Sequence, residues 1–242
     1  MAEISLLDML KAGIHFGHQK ARWHPKMKPF IFTSKNGISI INLEKTAQQL
    51  GKACEFVGKL VSQGKNILLI GTKRQAQEII KKYAQETGMP YVINRWLGGT
   101  FTNFSVILKV INKLKDLKEK KKKGELDKYT KKERMLLDEE IARLEKLVGG
   151  IESLGKLPEA IYLVDLKQER TALREAKRMK IPVVAMVDTN SNPEGVKYPI
   201  PANDDATKSI EFVTGKIAAA IKEGKDQITE KEEKKKKDEN NK

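Results

Sequence analysis

The chain has 242 residues, 39% of them hydrophobic and 33% charged, with a formal net charge of +15. The charged fraction exceeds the roughly 25% usual for globular domains, and the excess sits in two places: residues 104–148 hold 14 Lys/Arg and 9 Asp/Glu, and residues 222–242 hold 8 and 7. The rest has an ordinary charge density yet keeps +9 of the net charge, which directs a folded domain toward a polyanion, nucleic acid ahead of a membrane surface. No apolar run reaches the about 18 residues of a membrane span, and the first residues lack the basic and apolar regions of a signal peptide. A lone Cys54 rules out an internal disulfide and suits a reducing compartment. The cytoplasm is the expected location.

Residues 3–12 predict a short amphipathic helix with Ile4, Leu7 and Leu10 on one side. Residues 13–29 then gather all three histidines (His15, His18, His24) with Arg22, three lysines, Phe16 and Trp23. Cations interleaved with aromatics suit contact with RNA backbone and unstacked bases; a solvated basic loop over the core is the plainer alternative. The three histidines match no common zinc-finger spacing. Residues 30–43 read as a β-hairpin around Asn36-Gly37, and 44–60 as a helix with Ala47, Leu50, Cys54, Val57 and Val61 as its inner stripe. From residue 66 the pattern becomes strand–helix alternation: strands at 66–71, 91–93, 160–165 and 182–188, helices at 74–87, 168–180 and 204–223. Continuously apolar strands alternating with helices predict an α/β fold, a doubly wound parallel sheet with helices on both faces. Ligands of such sheets gather beyond the carboxyl ends of the strands. That edge would hold residues 71–74, Arg95-Trp96, Asp165 and 188–190.

The stretch 94–104 (NRWLGGTFTNF) joins the sheet to an insert. Arg95 and Trp96 offer a cation beside a flat ring, suited to phosphate and base, or a buried Trp capped by a Gly-Gly turn. In 104–148, Phe104, Ile107, Ile111 and Leu114, then Leu137, Ile141, Leu144 and Val148, repeat at 3 and 4, so an antiparallel coiled-coil hairpin is expected. Its tip, Lys120 to Lys123, either binds phosphate or only keeps the tip soluble. On the 168–180 helix, Arg170, Arg174, Lys177 and Arg178 form one stripe opposite Leu173, Ala176 and Met179; a solvated face is the first reading, an RNA-facing stripe the second. The blocks of charge from 225 to 242 predict disorder. The expected division is a core of 1–103 and 149–224, the hairpin 104–148, and the tail.

The turn at 71–74 has neither phosphate-binding glycine motif, and no serine lies in a nucleophile elbow. A nucleotide- or sugar-phosphate-binding enzyme on the same core is the competing class, but no residue set supports a particular chemistry. Residues 13–29 (GIHFGHQKARWHPKMKP), 95–104 (RWLGGTFTNF) and 184–205 (VAMVDTNSNPEGVKYPIPANDD) resemble, in order, signature regions of the bacterial small-subunit ribosomal protein S2 family. The resemblance implies a flavodoxin-like sheet with an inserted hairpin and no catalysis. It also implies binding to small-subunit ribosomal RNA and neighbouring ribosomal proteins, among them, in many bacteria, the mRNA-binding protein S1. The RNA-binding set expected on this chain is Lys11, His15, Lys20, Arg22, Trp23, His24, Lys26, Lys28, Lys73, Arg74, Arg95, Trp96, Thr102, Asn103, Lys109 and Lys113. No cofactor is required. A divalent metal, magnesium or zinc, is a further expectation at His18, Asp188, Asp204 and Asp205, because acidic groups meeting at the sheet edge need a compensating cation. The alternative gives Asp188 to backbone amides of its turn and makes Asp204 a helix N-cap.

Overall fold

The computed structural model describes residues 5–126 and 128–240, with side chains as far as Ile228. Glu3 and Ile4 of the first expected helix lie outside the described residues. The chain runs through α1 (Leu6–Lys11), β1 (Phe16–Gln19), β2 (Ile31–Lys35), β3 (Ile38–Ile41), α2 (Leu43–Val61), β4 (Ile67–Ile70), α3 (Arg74–Thr87) and β5 (Tyr91–Val92). It continues through α4 (Phe104–Lys122), α5 (Lys131–Val148), β6 (Ala160–Leu163), α6 (Arg170–Arg178), β7 (Val183–Val187), β8 (Tyr198–Pro201) and α7 (Thr207–Asn240).

Five strands form a parallel sheet in the order β5-β4-β6-β7-β8. Numbered within the sheet this is 2-1-3-4-5, the doubly wound order. Because side chains alternate across a strand, each strand feeds two cores. Ile67, Leu69, Tyr162, Val184 and Met186 face α2, α3 and α7. Leu68, Ile70, Ile161, Leu163, Ala185 and Val187 face α6, α4, α5 and the Trp96–Phe101 pair. This double burial explains the unbroken apolar runs. The Leu50, Cys54, Val57 and Val61 stripe of α2 is buried as the 3–4 spacing predicts.

Two strands escaped the sequence reading. β8 contains Pro199 and Pro201 and is tolerated because it is an edge strand, paired on one side only. β1 lies inside the segment read as a basic loop; it pairs antiparallel with β3, and β3 with β2, making a small second sheet. Asn36 and Gly37 take φ of 51° and 76° in the tight turn of that hairpin. Helix α7 also departs from expectation. It stays helical from Lys225 to Asn240, across the segment read as disordered, consistent with the high helix propensity of its Lys and Glu residues; Asn241 and Lys242 lie outside the described residues.

The other edge of the sheet, β5, is covered by the turn Gly149–Ile151 at the foot of α5. A Cβ on Gly150 would lie 2.2 Å from the Tyr91 carbonyl oxygen and 2.9 Å from its ring, whereas one on Gly155 meets nothing within 4 Å. Gly150→Ala should therefore destabilise the chain by about 1–3 kcal/mol through overpacking, read as a lower Tm, while Gly155→Ala leaves Tm within error.

Candidate nucleic-acid interface

The loops after β4, β5, β6, β7 and β8 all open at one end of the sheet, and residues 13–29 are pinned over it. The Gly17 backbone crosses Thr189 so closely that a Cβ there would meet the Thr189 side chain at 2.5 Å. The His18 amide donates to Thr189 Oγ1 (2.8 Å) and the His24 amide to the Thr189 carbonyl (2.7 Å). At the start of the loop, Asn203 Nδ2 donates to the Gly13 carbonyl and the Asn203 amide to that of Ile14. This pinning leaves Lys20, Arg22 and Lys28 exposed on the outer side, Lys26 exposed and paired with Glu194, and Trp23 and His24 half-buried. His15 lies against the Phe16 ring at 4.0 Å, and burial lowers its pKa.

The junction after β5 is organised by a buried acid on α6. Glu175 accepts hydrogen bonds from Trp96 Nε1 (3.1 Å), from the amides of Gly99 (2.8 Å), Phe101 (2.8 Å) and Thr102 (3.2 Å), and from Thr102 Oγ1 (3.4 Å). Trp96 is 8% exposed and packs edge-on against Phe101. Of the two readings of Trp96, the structure takes the buried one: the ring belongs to the core, and its nitrogen reaches inward to Glu175. Arg95, Thr102 and Asn103 remain exposed, as do Lys11, Arg74 and Lys109. Lys113 is exposed but bonded to Glu140 at 2.9 Å.

Beneath the basic loop lies a concentrated acidic group. Lys73 Nζ sits 2.7 Å from Asp204 Oδ1, 2.7 Å from Asp205 Oδ1 and 3.3 Å from Asp165 Oδ2, with 14% of its side chain exposed. Lys73 is thus spent inside the protein and leaves the RNA-facing set. His18 Nδ1 lies 3.1 Å from Asp188 Oδ2, and Nε2 lies 3.3 Å from Asp205 Oδ2. Asp188 is 1% exposed; its Oδ1 accepts from Thr189 N and Oγ1, while its Oδ2 faces His18 Nδ1. The Asp188 carboxylate raises the His18 pKa. Burial and the charges of Asp165 and Asp188 push Asp204 up to about 7, despite Lys73. His18, Asp188 and Asp205 each bring one donor atom within 4.8 Å of the others, whereas Asp204 turns toward Lys73. Nor does Asp204 cap α7: Asn203 Oδ1 takes the amides of Asp205 (2.9 Å) and Ala206 (3.2 Å).

The family model for ribosomal protein S2 matches residues 9–224. The chain belongs to the ribosomal protein S2 family. It is 49% identical over 226 residues to the small ribosomal subunit protein uS2 of Coprothermobacter proteolyticus, covering 93% of this chain and 84% of that one. It is 46% identical over 228 residues to the protein of the same name from Dehalococcoides mccartyi, covering 94% and 93%. The S2 family is one of structural ribosomal proteins, not enzymes.

Glu175 was invisible as a functional position in the sequence, since it sits between Arg174 and Ala176 on an amphipathic helix. An acid flanking the buried stripe, opposite a Gly-Gly turn full of free amides, was the available signal. Burial raises its pKa, but the amides of Phe101 and Gly99 with Trp96 outweigh that, and the net shift is downward. A depressed carboxyl pKa stabilises the fold fully above the unfolded value, about 4.3, and loses that contribution as pH falls through the lower folded value. Glu175→Gln should destabilise at pH 7 by about 1.5–3 kcal/mol, the scale of a hydrogen bond to a charged group. The gap in Tm between variant and wild type should narrow below pH 4; a gap constant with pH would refute the assignment.

Proposed function

We propose that the chain is a structural, RNA-binding constituent of the small ribosomal subunit, acting in translation in the cytoplasm beside other small-subunit proteins. Membership of the S2 family across residues 9–224 carries this reading. The exposed cations pinned over the sheet edge, Lys20, Arg22, Lys26 and Lys28, with Lys11, Arg74, Arg95, Thr102, Asn103 and Lys109, are the surface we assign to ribosomal RNA. We further propose that the core (1–103 and 149–224) carries α4 and α5 as an inserted antiparallel coiled-coil hairpin. Supporting this, Ile107, Ile111 and Leu114 of α4 share a core with Ile141, Leu144 and Val148 of α5, and Lys118 Nζ meets Glu145 at 2.9 Å. For protein S1, implied by the resemblance, the exposed apolar side chains Leu7 (68%) and Phe32 (72%) are the surface we assign.

Each neutralised phosphate releases condensed counterion, so affinity for small-subunit RNA should fall steeply with salt. Replacing Lys20, Arg22, Lys26 and Lys28 together with Gln should flatten the log–log salt dependence by about 2–4. An unchanged slope would move the RNA surface elsewhere.

A second reading concerns His18, Asp188 and Asp205. Three carboxylates (Asp165, Asp204, Asp205) surround one ammonium, Lys73, and a fourth, the buried Asp188, faces the His18 imidazole at 3.1 Å. A divalent cation held by an imidazole nitrogen and two carboxylate oxygens would satisfy both, and the nitrogen donor suits zinc better than magnesium. Asp204, expected among the ligands, serves Lys73 instead. Elemental analysis should find about one metal per chain, lost on chelation with a fall in Tm and restored by adding the metal. Asp188→Asn should abolish that response; a Tm indifferent to chelator would leave His18 held by the carboxylates alone.

A further inference from the structure

The positive charge of the chain is unevenly answered by its own carboxylates. In the insert, Lys113, Lys118, Lys120, Lys121 and Lys123 each meet an acidic partner at 2.6–2.9 Å. On α6 the pattern reverses. Arg170, Arg174 and Arg178 rise at i, i+4 and i+8 along one exposed face, and among the described residues none of them has a carboxylate partner. The same holds for the Lys167 side chain just before the helix.

Nor is this face a flat, solvated one. Helix α6 and the loop 189–195 that follows β7 enclose a groove of about 550 Å³, whose lining includes Lys167, Arg170, Arg174, Lys177, His24 and Asn190. Lys177 Nζ donates to the Glu194 carbonyl (2.7 Å) and crosses Gly195, where a Cβ would lie 1.8 Å from Lys177 Cε. The one carboxylate in the lining, Glu194, is engaged by Lys26 of the basic loop. The groove therefore borders the basic loop, through His24 in its lining and the Lys26–Glu194 pair.

We propose that the groove between α6 and the 189–195 loop is an additional RNA-backbone site, in which Arg170 and Arg174, with Lys167 beside them, hold successive phosphates. Residues one helical turn apart lie on the same face about 5–6 Å from each other, and each guanidinium presents a rigid fork of donors matched to phosphate oxygens. Such contacts fix register on the RNA without reading its bases. An acidic protein segment would satisfy the same cations, but it would not use the basic loop that borders them. The assignment rests on the RNA-binding reading above.

The test is a salt series of binding between the full-length protein and small-subunit ribosomal RNA. Arg170→Gln/Arg174→Gln should lower the log–log salt slope by about 1.4–1.8, at ~0.7–0.9 per phosphate, and Arg170→Lys/Arg174→Lys should restore most of it. Both side chains are exposed, so the Tm of each variant should match wild type. Failure of the wild-type chain to bind would remove the RNA reading and this site with it. Normal wild-type binding with an unchanged slope in the Gln variant would overturn the groove alone. An unchanged RNA slope with loss of a protein neighbour from assembled subunits would overturn it in favour of an acidic protein segment.

Discussion

A single buried carboxylate ties α6 to the turn through which the chain passes from the sheet to α4. Glu175 receives three backbone amides, an indole nitrogen and a threonine hydroxyl, all from residues 96–102. Burying an ionised carboxyl is costly unless donors replace its water, and here the turn that needs acceptors supplies them. Remove the acid, and the Gly99 and Phe101 amides lose their partner at the point where the chain leaves the sheet for α4. The same helix presents Arg170, Arg174 and Arg178 to solvent. Its buried face fixes the junction while its exposed face lines the groove, so the orientation of one is bound to that of the other.

The carboxyl edge of the sheet is electrically layered. Inside are Asp165, Glu169, Asp188 and Asp204, all buried, with the Lys73 ammonium against Asp165 and Asp204. Outside are Lys20, Arg22 and Lys28. Residues 13–29 are drawn down between the layers by His18, whose ring lies between Asp188 and Asp205, and by backbone contacts at Thr189. Gly17 makes that approach possible, because a side chain there would strike Thr189 and the Ser39 carbonyl. The basic loop is thus held by acids it covers, and its remaining cations point away from them.

Much of this architecture was legible in the residues. Doubly buried strands such as β4 and β6 announce themselves as unbroken apolar runs, and α2 and α3 by their 3–4 spacing. Illegible parts share a cause: their partners are distant in sequence. β8 is a strand only because β7 lies beside it, and its prolines argue against that locally. β1 depends on β3 and Thr189. Whether Trp96 stacks on a base or enters the core turns on Glu175, 79 residues later, and whether Lys73 meets phosphate turns on Asp204, 131 residues later. Only tertiary contact decides which of these groups are already occupied.

Occupancy also decides where net charge can act. By composition the lysine-rich insert is the most basic-looking part of the chain, yet its i, i+4 pairs and the contacts between α4 and α5 bind much of that charge internally. Such exposed pairs are individually worth little to stability, but each lowers the field available to a polyanion. The arginines of α6 are fewer and better placed. They stand on a short helix locked to the core by Glu175, beside a loop locked to the sheet by Asp188. Grouped on one face and without a carboxylate partner among the described residues, they have guanidinium donors that are not already engaged, whereas the paired lysines of α4 would first give up partners of their own.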